Sequence, residues 1–209
     1  MCIRDSYRSE TKDSLDFFTA GAYTFFNPPP GLPLPYYCLL PGAPVPPCPP
    51  GFPGQLLLPS RFSYRNIGKT VNKGFELGLR VQPMARNTLT ANYSYQADPD
   101  VEGVPEDEIG RPPNHRFSVG WNGYQNQWFY SAAVNYTDEA YWTDVLDSRF
   151  WGTTDAFTTV DASLGLMFAD GAAEASIRAT NLFNEDALQH IYGDIIGRRI
   201  VAEIALTVQ

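Results

Sequence analysis

Long hydrophobic runs are missing from this chain. No window approaches 18 uninterrupted apolar residues, so a membrane-spanning helix is excluded. Positive charge is scarce: 15 Lys and Arg stand against 23 Asp and Glu, a net charge of −8. That field has the wrong sign for polyphosphate and excludes nucleic acid as a partner. Cysteine is rare, with only Cys2, Cys38 and Cys48. None has zinc-ligand spacing, only two histidines could assist them, and no metal or other cofactor is expected. Charged residues, at 18%, fall below the roughly 25% of an ordinary soluble domain. A basic, apolar, small-residue leader is also absent from the start, where Met1-Cys2-Ile3-Arg4-Asp5-Ser6 fits no strand pattern. These first residues read as an assembly or cloning scar rather than the natural beginning, and Cys2 is given no role.

What is present is apolar and aromatic: 44% hydrophobic residues, with 12 Tyr, 13 Phe and 4 Trp. Proline is confined in a telling way, since residues 28–59 hold 13 of the 18. Lacking an N–H, proline suits neither sheet interior nor helix, so this stretch is expected to be one long loop. The preceding residues 17–26 alternate poorly, and an additional strand within residues 7–26 is a marginal expectation.

From residue 62 onward the hydrophobic period is two. Val71, Lys73, Phe75, Leu77, Leu79 and Val81 fall on one face, and Thr70, Asn72, Gly74, Glu76, Gly78 and Arg80 on the other. Leu89, Ala91, Tyr93 and Tyr95 follow, then Phe117, Val119 and Trp121, then Trp128, Tyr130, Ala132, Val134 and Tyr136. Val160 to Phe168, Ala173 to Ala179 and Ile200 to Val208 complete seven segments, each with a largely small, polar opposite face of Ser, Thr, Gly and Asn. Each segment is near the 9–11 residues that cross a bilayer at a tilt. Short turns near 83–86, 123–127 and 170–171 alternate with long polar loops near 97–114, 138–156 and 183–197. In outer-membrane barrels the short ends are periplasmic and the long ends extracellular. Aromatics gather where strands meet loops, the depth that amphipathic rings favour. The fold class is therefore all-β: an antiparallel up-and-down transmembrane barrel segment of seven to eight strands. A soluble sandwich or propeller also alternates, but neither explains the small polar face or the strict loop asymmetry.

Catalysis finds no support. His115 and His190 lie beside loop positions without a serine or cysteine partner in a recognisable arrangement. Asp98-Pro99-Asp100-Val101-Glu102-Gly103 opens like a calcium loop, but it lacks the remaining ligand spacing and the terminal Glu, and reads as a solvated acidic loop. Two structural sites are expected instead. Cys38 and Cys48 share a segment that would lie outside the cell, where a disulfide would persist and staple the proline-rich loop. A two-residue turn at Asp170-Gly171 makes paired positions sum to 341, so Ser163 faces Arg178 and Asp161 becomes its diagonal neighbour. An Asp161–Arg178 ion pair on the lumen wall follows, extended by Glu203 or Arg199.

Particular residues resemble a known family. Asn66-Ile67-Gly68-Lys69 with Gly74-Phe75-Glu76, Arg111-Pro112-Pro113-Asn114-His115-Arg116, Val160-Asp161-Ala162-Ser163, Asn181-Leu182-Phe183-Asn184 and Gly197-Arg198-Arg199 are similar to segments of TonB-dependent outer-membrane receptors. Asn-Leu-Phe-Asn, one strand before the carboxyl end, is the most specific. The resemblance covers residues 62–209, the C-terminal strands of the barrel, and leaves 1–61 as the scar, a possible strand and the proline-rich extracellular loop. It implies a barrel of about 22 strands with a plugged lumen, of which this chain would be the carboxyl-terminal third. It also implies an upstream plug domain, TonB, outer-membrane lipid and the barrel assembly machinery as partners. Energised uptake of a scarce nutrient is implied, by default a ferric siderophore or similar metal chelate. A passive porin-like channel and an independent small outer-membrane barrel are the alternatives. Family members end in an aromatic residue, whereas this chain ends Thr207-Val208-Gln209, so one further aromatic is expected beyond Gln209.

Overall fold

The computed structural model describes residues 2–43, 57–144 and 148–207. Its strands, in chain order, begin with β1 (Cys2–Thr11), β2 (Leu15–Ala22), β3 (Pro59–Asn66), β4 (Thr70–Met84) and β5 (Asn87–Gln96). β6 (Asp100–Val101), β7 (His115–Gln125), β8 (Trp128–Thr137), β9 (Ala140–Trp142) and β10 (Gly152–Thr154) follow. The last are β11 (Phe157–Phe168), β12 (Ala173–Thr180), β13 (Ala187–Leu188), β14 (Ile195–Ile196) and β15 (Arg199–Leu206). Among the described residues the only helices are short 3-10 turns.

One large antiparallel sheet runs in the order β1-β4-β5-β7-β8-β11-β12-β15, with β6 added beside β4. From β4 to β15 its long strands are sequential neighbours, as an up-and-down wall requires. The sheet does not close: β1 and β15 are its two edges. All seven expected strands are present, and their registers keep the expected faces. Leu89 pairs with both Val81 and Trp121, Val134 with Val119 and Val160, Leu164 with Tyr130 and Ile177, and Ala175 with Ile204. Directly opposed residues share a face, so these rows weld the apolar sides of seven strands into one surface. The opposite rows are polar and small, as in Asn92–Ser118–Asn135 and Asn122–Ser131–Ser163.

No second layer covers the apolar surface. Leu79, Val119, Leu164, Ile177, Ile204 and Leu206 are exposed, and the few buried apolar residues, Leu39, Leu40, Val71, Ala140, Ala173 and Ala187, are mostly in or near the loops. In a soluble sheet this arrangement would be inverted, because burial of apolar area is the main force that folds one. Two aromatic bands edge the surface. At the long-loop end Phe75, Tyr93, Tyr95 and His115 are in ring contact and Phe117 stacks on Tyr136. At the short-turn end Asn87 accepts hydrogen bonds from Trp121 Nε1 and the Tyr130 hydroxyl, orienting both rings.

Several expectations are corrected. Residues 2–6 are not outside the fold: β1 pairs along its whole length with Thr70 to Leu79. Its pattern carries no strand alternation because Arg4 and Ser6 sit opposite Leu77 and Phe75, so polar residues extend an apolar face. Leu15–Ala22 is a strand, but it pairs with β3 apart from the large sheet, and a boundary at residue 61 would cut through that hairpin. The proline-rich stretch contains a 3-10 helix at Leu34–Leu39, with a proline in its first turn, where a missing N–H costs nothing and the fixed φ is already suitable. Cys48 lies outside the described residues, as do Val208 and Gln209.

Candidate functional site

The chain reverses at Asp170-Gly171 as expected, but on one turn of 3-10 helix, Ala169–Gly171, rather than a two-residue turn: Ala172 N–H donates to the Ala169 carbonyl, and Ala169 (φ 52°), Asp170 (φ 52°, ψ 33°) and Gly171 (φ 88°) are all left-handed. Phe168 pairs with Ala173 and Ser163 with Arg178, so the register is the expected one. Arg178 lies on the polar face, where it lines a hollow of about 230 Å³ with Ser176, Thr180, Arg199, Val201 and Glu203.

The Asp161–Arg178 ion pair does not form. The ladder between β11 and β12 stops at Ala162–Ala179, and the chain then turns at Asn181 with φ 49°. That turn presents its amide to Asp161: Oδ1 accepts Asn181 N–H at 2.9 Å, and Oδ2 accepts Asn135 Nδ2 at 3.3 Å. A carboxylate with two donors at hand, one a fixed backbone N–H, has no need of a flexible guanidinium. Ion pairs form elsewhere: Arg8–Glu10, Lys69–Glu10, Arg65–Asp16 and Arg65–Glu108.

Those involving Arg65 lie among the long loops, which all leave the same end of the sheet. There Arg65 reaches Asp16 Oδ2 through Nε and Nη2, at 3.1 and 3.0 Å, and Glu108 at 3.3 Å. The hydrogen bond it donates to Asp16 is the main cause holding the guanidinium above its ordinary value, so Arg65 remains charged at any physiological pH. It ties the β2–β3 hairpin to the loop at 97–114. A second bridge joins Arg111 to Tyr141 through both backbone amides, with the Arg111 guanidinium 4.9 Å from the Tyr141 ring centroid. A third pair of contacts joins the remaining loops: the His190 ring lies 4.3 Å from that of Trp142, and the Tyr192 hydroxyl donates to the Phe150 carbonyl. Desolvation and then Asp144 raise the Tyr192 phenol above its usual value, which keeps it a donor into alkaline solution.

These loops enclose a half-open cleft of about 520 Å³. Arg111, Arg116, Asp138, Tyr141, Trp142 and Gln189 supply its polar and aromatic lining. Arg116 rises from the polar face of the sheet, in the row Ser94–Arg116–Thr137–Phe157, so the cleft opens on that side and not on the apolar one. Asp138 is engaged by the Tyr136 hydroxyl and the Glu139 amide. Neither Arg111 nor Arg116 is in an ion pair among the described residues. Chemically the cleft offers two cations beside aromatic faces, a setting for an anionic ligand with flat surfaces.

Of the residues singled out by sequence, His115 sits at the rim with Nδ1 2.8 Å from the Tyr93 hydroxyl. His190 is a loop contact against Trp142. The Asp98 carboxylate accepts Asn114 Nδ2, and among the described residues no group of His, Cys, Asp and Glu could hold a metal ion. The cleft is not legible in the sequence, since its lining comes from loops far apart in the chain. The one available signal was Arg111-Pro112-Pro113-Asn114-His115-Arg116, which places both cleft arginines around a rigid Pro-Pro pair.

Comparison with known proteins agrees with this architecture. A family model described as TonB dependent receptor-like, beta-barrel matches residues 5–184, further toward the start than the motifs themselves reached. No curated protein matches the chain. Among solved structures it is similar to a mutant of the ferric enterobactin receptor of Pseudomonas aeruginosa, with a TM-score of 0.52 and 10% identity. That alignment covers 86% of this chain and 23% of the other, so the chain spans under a quarter of that receptor's length and the likeness is one of fold. With the family model matching most of its length, the chain belongs to the TonB-dependent receptor family and forms part of its β-barrel wall.

Proposed function

We propose that this chain is the wall and outer rim of an outer-membrane receptor for energised uptake of a scarce nutrient, by class an anionic metal chelate such as a ferric siderophore. The cleft supports this reading most directly: two arginines without carboxylate partners, beside Tyr141 and Trp142, face the polar side of the sheet at the long-loop end. Such a site suits a ligand that enters from outside and passes along the lumen wall. The uncovered apolar face suits outer-membrane lipid, and the aromatic bands suit its two interfaces. The family adds an upstream plug and TonB as partners, with no enzymatic step.

The test is uptake by cells expressing the full-length receptor. ⁵⁵Fe supplied as chelates of several classes should be accumulated for at least one anionic chelate, and a protonophore or loss of TonB should abolish accumulation. Replacing Arg111 and Arg116 together by Ala should raise the half-saturating concentration about 10-fold, equivalent to about 1.4 kcal/mol of binding. Accumulation indifferent to the protonophore would favour a passive channel.

A further inference from the structure

We infer that Asp161, Asn181 and Asn184 form a clasp that positions one wall of the outer cleft, and that this is the physical role of the Asn-Leu-Phe-Asn segment. The inference rests on the reading of the cleft as the ligand site, and it adds residues that touch no ligand.

The bonds radiate from Asn181, which is 3% exposed. Its Nδ2 donates to the Glu185 carbonyl at 2.7 Å and to the Ile196 carbonyl at 2.8 Å, and its Oδ1 accepts Glu185 N–H at 2.9 Å. One amide side chain thus holds both limbs of the last long loop, leaving at Glu185 and returning at Ile196. Asn184 repeats the device one step out, its Oδ1 accepting Arg198 N–H at 2.9 Å. Asp161 fixes the hub to the sheet by accepting its backbone N–H. Both asparagines have positive φ, 49° and 58°, a conformation that asparagine tolerates better than most residues. The ladder that joins the limbs is short, the two-residue pairing of β13 with β14, and Arg198 Nη1 adds one long contact to the Leu182 carbonyl at 3.5 Å. Side-chain amides here replace a ladder that is too short to hold the loop.

What the clasp holds is the cleft. Leu188 and Gln189, just beyond Glu185, line one side of it, and His190 and Tyr192 at the tip rest on Trp142 and Phe150 of the neighbouring loop. Release of Asn181 frees this wall while the strands keep their own hydrogen bonds. Asp161 belongs to one family-like segment and Asn181 to another, 20 residues on, and their contact gives both a common purpose.

Glycine retains the positive φ and removes only the side-chain bonds, so Asn181→Gly and Asn184→Gly are the informative variants. Amide hydrogen exchange, read by mass spectrometry on the full-length receptor in detergent, tests the clasp without any ligand. In Asn181→Gly, exchange across residues 185–196 should accelerate at least 10-fold, with a smaller rise in β9 and β10, which the tip contacts. Strands β8, β11 and β12 should be unchanged. Asn184→Gly should accelerate the returning limb alone. Unchanged exchange at residues 185–196 in Asn181→Gly overturns the clasp. Equal acceleration in β11 and β12 overturns the positioning role, because the residue would then be a general stabiliser of the wall. Neither readout depends on uptake, so loss of the receptor reading and loss of the clasp are separable.

Discussion

At the scale of the residue, glycine and aromatic side chains meet across strands on the polar face. Tyr7 lies opposite Gly74 and Phe129 opposite Gly165, each ring lying over a position without a side chain. At Gly165 the nearest atoms a methyl group would meet all belong to the Phe129 ring, a side chain that can swing aside. At Gly74 it would meet the Tyr95 backbone carbonyl as well as the Tyr7 ring. Gly74→Ala should therefore destabilise by about 1–3 kcal/mol, the usual range for overpacking, and Gly165→Ala by less. Melting of the heat-modifiable folded band on gels checks the order; equal or reversed losses would contradict the packing.

At the scale of the element, β2 and β3 are less independent than their separate sheet suggests. Leu15 pairs with Asn66 and Asp16 with Arg65 in the same register that pairs Cys2 with Leu79 and Thr11 with Thr70. Ser14 and the Ile67–Gly68 backbone bridge the interval with two hydrogen bonds. The result is one hairpin, broken at its middle, whose outer half projects as an arm and is latched by Arg65. An exposed ion pair contributes only about 0–1 kcal/mol and is screened by salt. Arg65→Lys keeps the charge but loses the fork that serves Asp16 and Glu108 together. It should raise protease nicking of the arm at low ionic strength, with the difference from wild type vanishing near 1 M salt. At the arm's distal end the proline-rich segment begins, and there a Cys38–Cys48 disulfide remains our proposal. Thiol titration of exported, denatured protein should find one free cysteine, Cys2; three would exclude the bridge.

Across the whole molecule, parity along each strand separates the face suited to lipid from the polar one. Ser131 and Ala132 are adjacent in β8, but Ser131 faces Asn122 and Ser163 while Ala132 faces Trp121 and Ala162. Ala132→Arg would place a charge at mid-depth on the apolar surface, at a cost of ~2–4 kcal/mol, whereas Ser131→Arg would reach the polar side. Folding into bilayers should fail or slow for the first and proceed for the second. Tolerance of arginine at both positions would mean that the apolar face is not against lipid.

Seven strands, β4, β5, β7, β8, β11, β12 and β15, were legible in the amino-acid sequence, with their faces and their order. Period-two alternation is a local property, and a register slip of one residue would turn Val119, Leu164 or Ile177 to the polar side, so pattern and pairing had to agree. The sequence also located the reversal at Asp170-Gly171, but not its form: three successive residues take positive φ there, and Ala169 among them is a residue that rarely does. Tertiary structure decided the rest. Cys2–Thr11 became a strand by pairing with β4 despite a pattern that opposed it. Asp161 was correctly placed beside Arg178, but an end of the ladder and one backbone amide at Asn181 drew its carboxylate away. The cleft and its clasp depend on loops from residues 97–114, 138–156 and 181–198 converging at one end of the sheet. Side-chain period specifies which way a strand faces; it holds no information about where irregular segments between strands will meet.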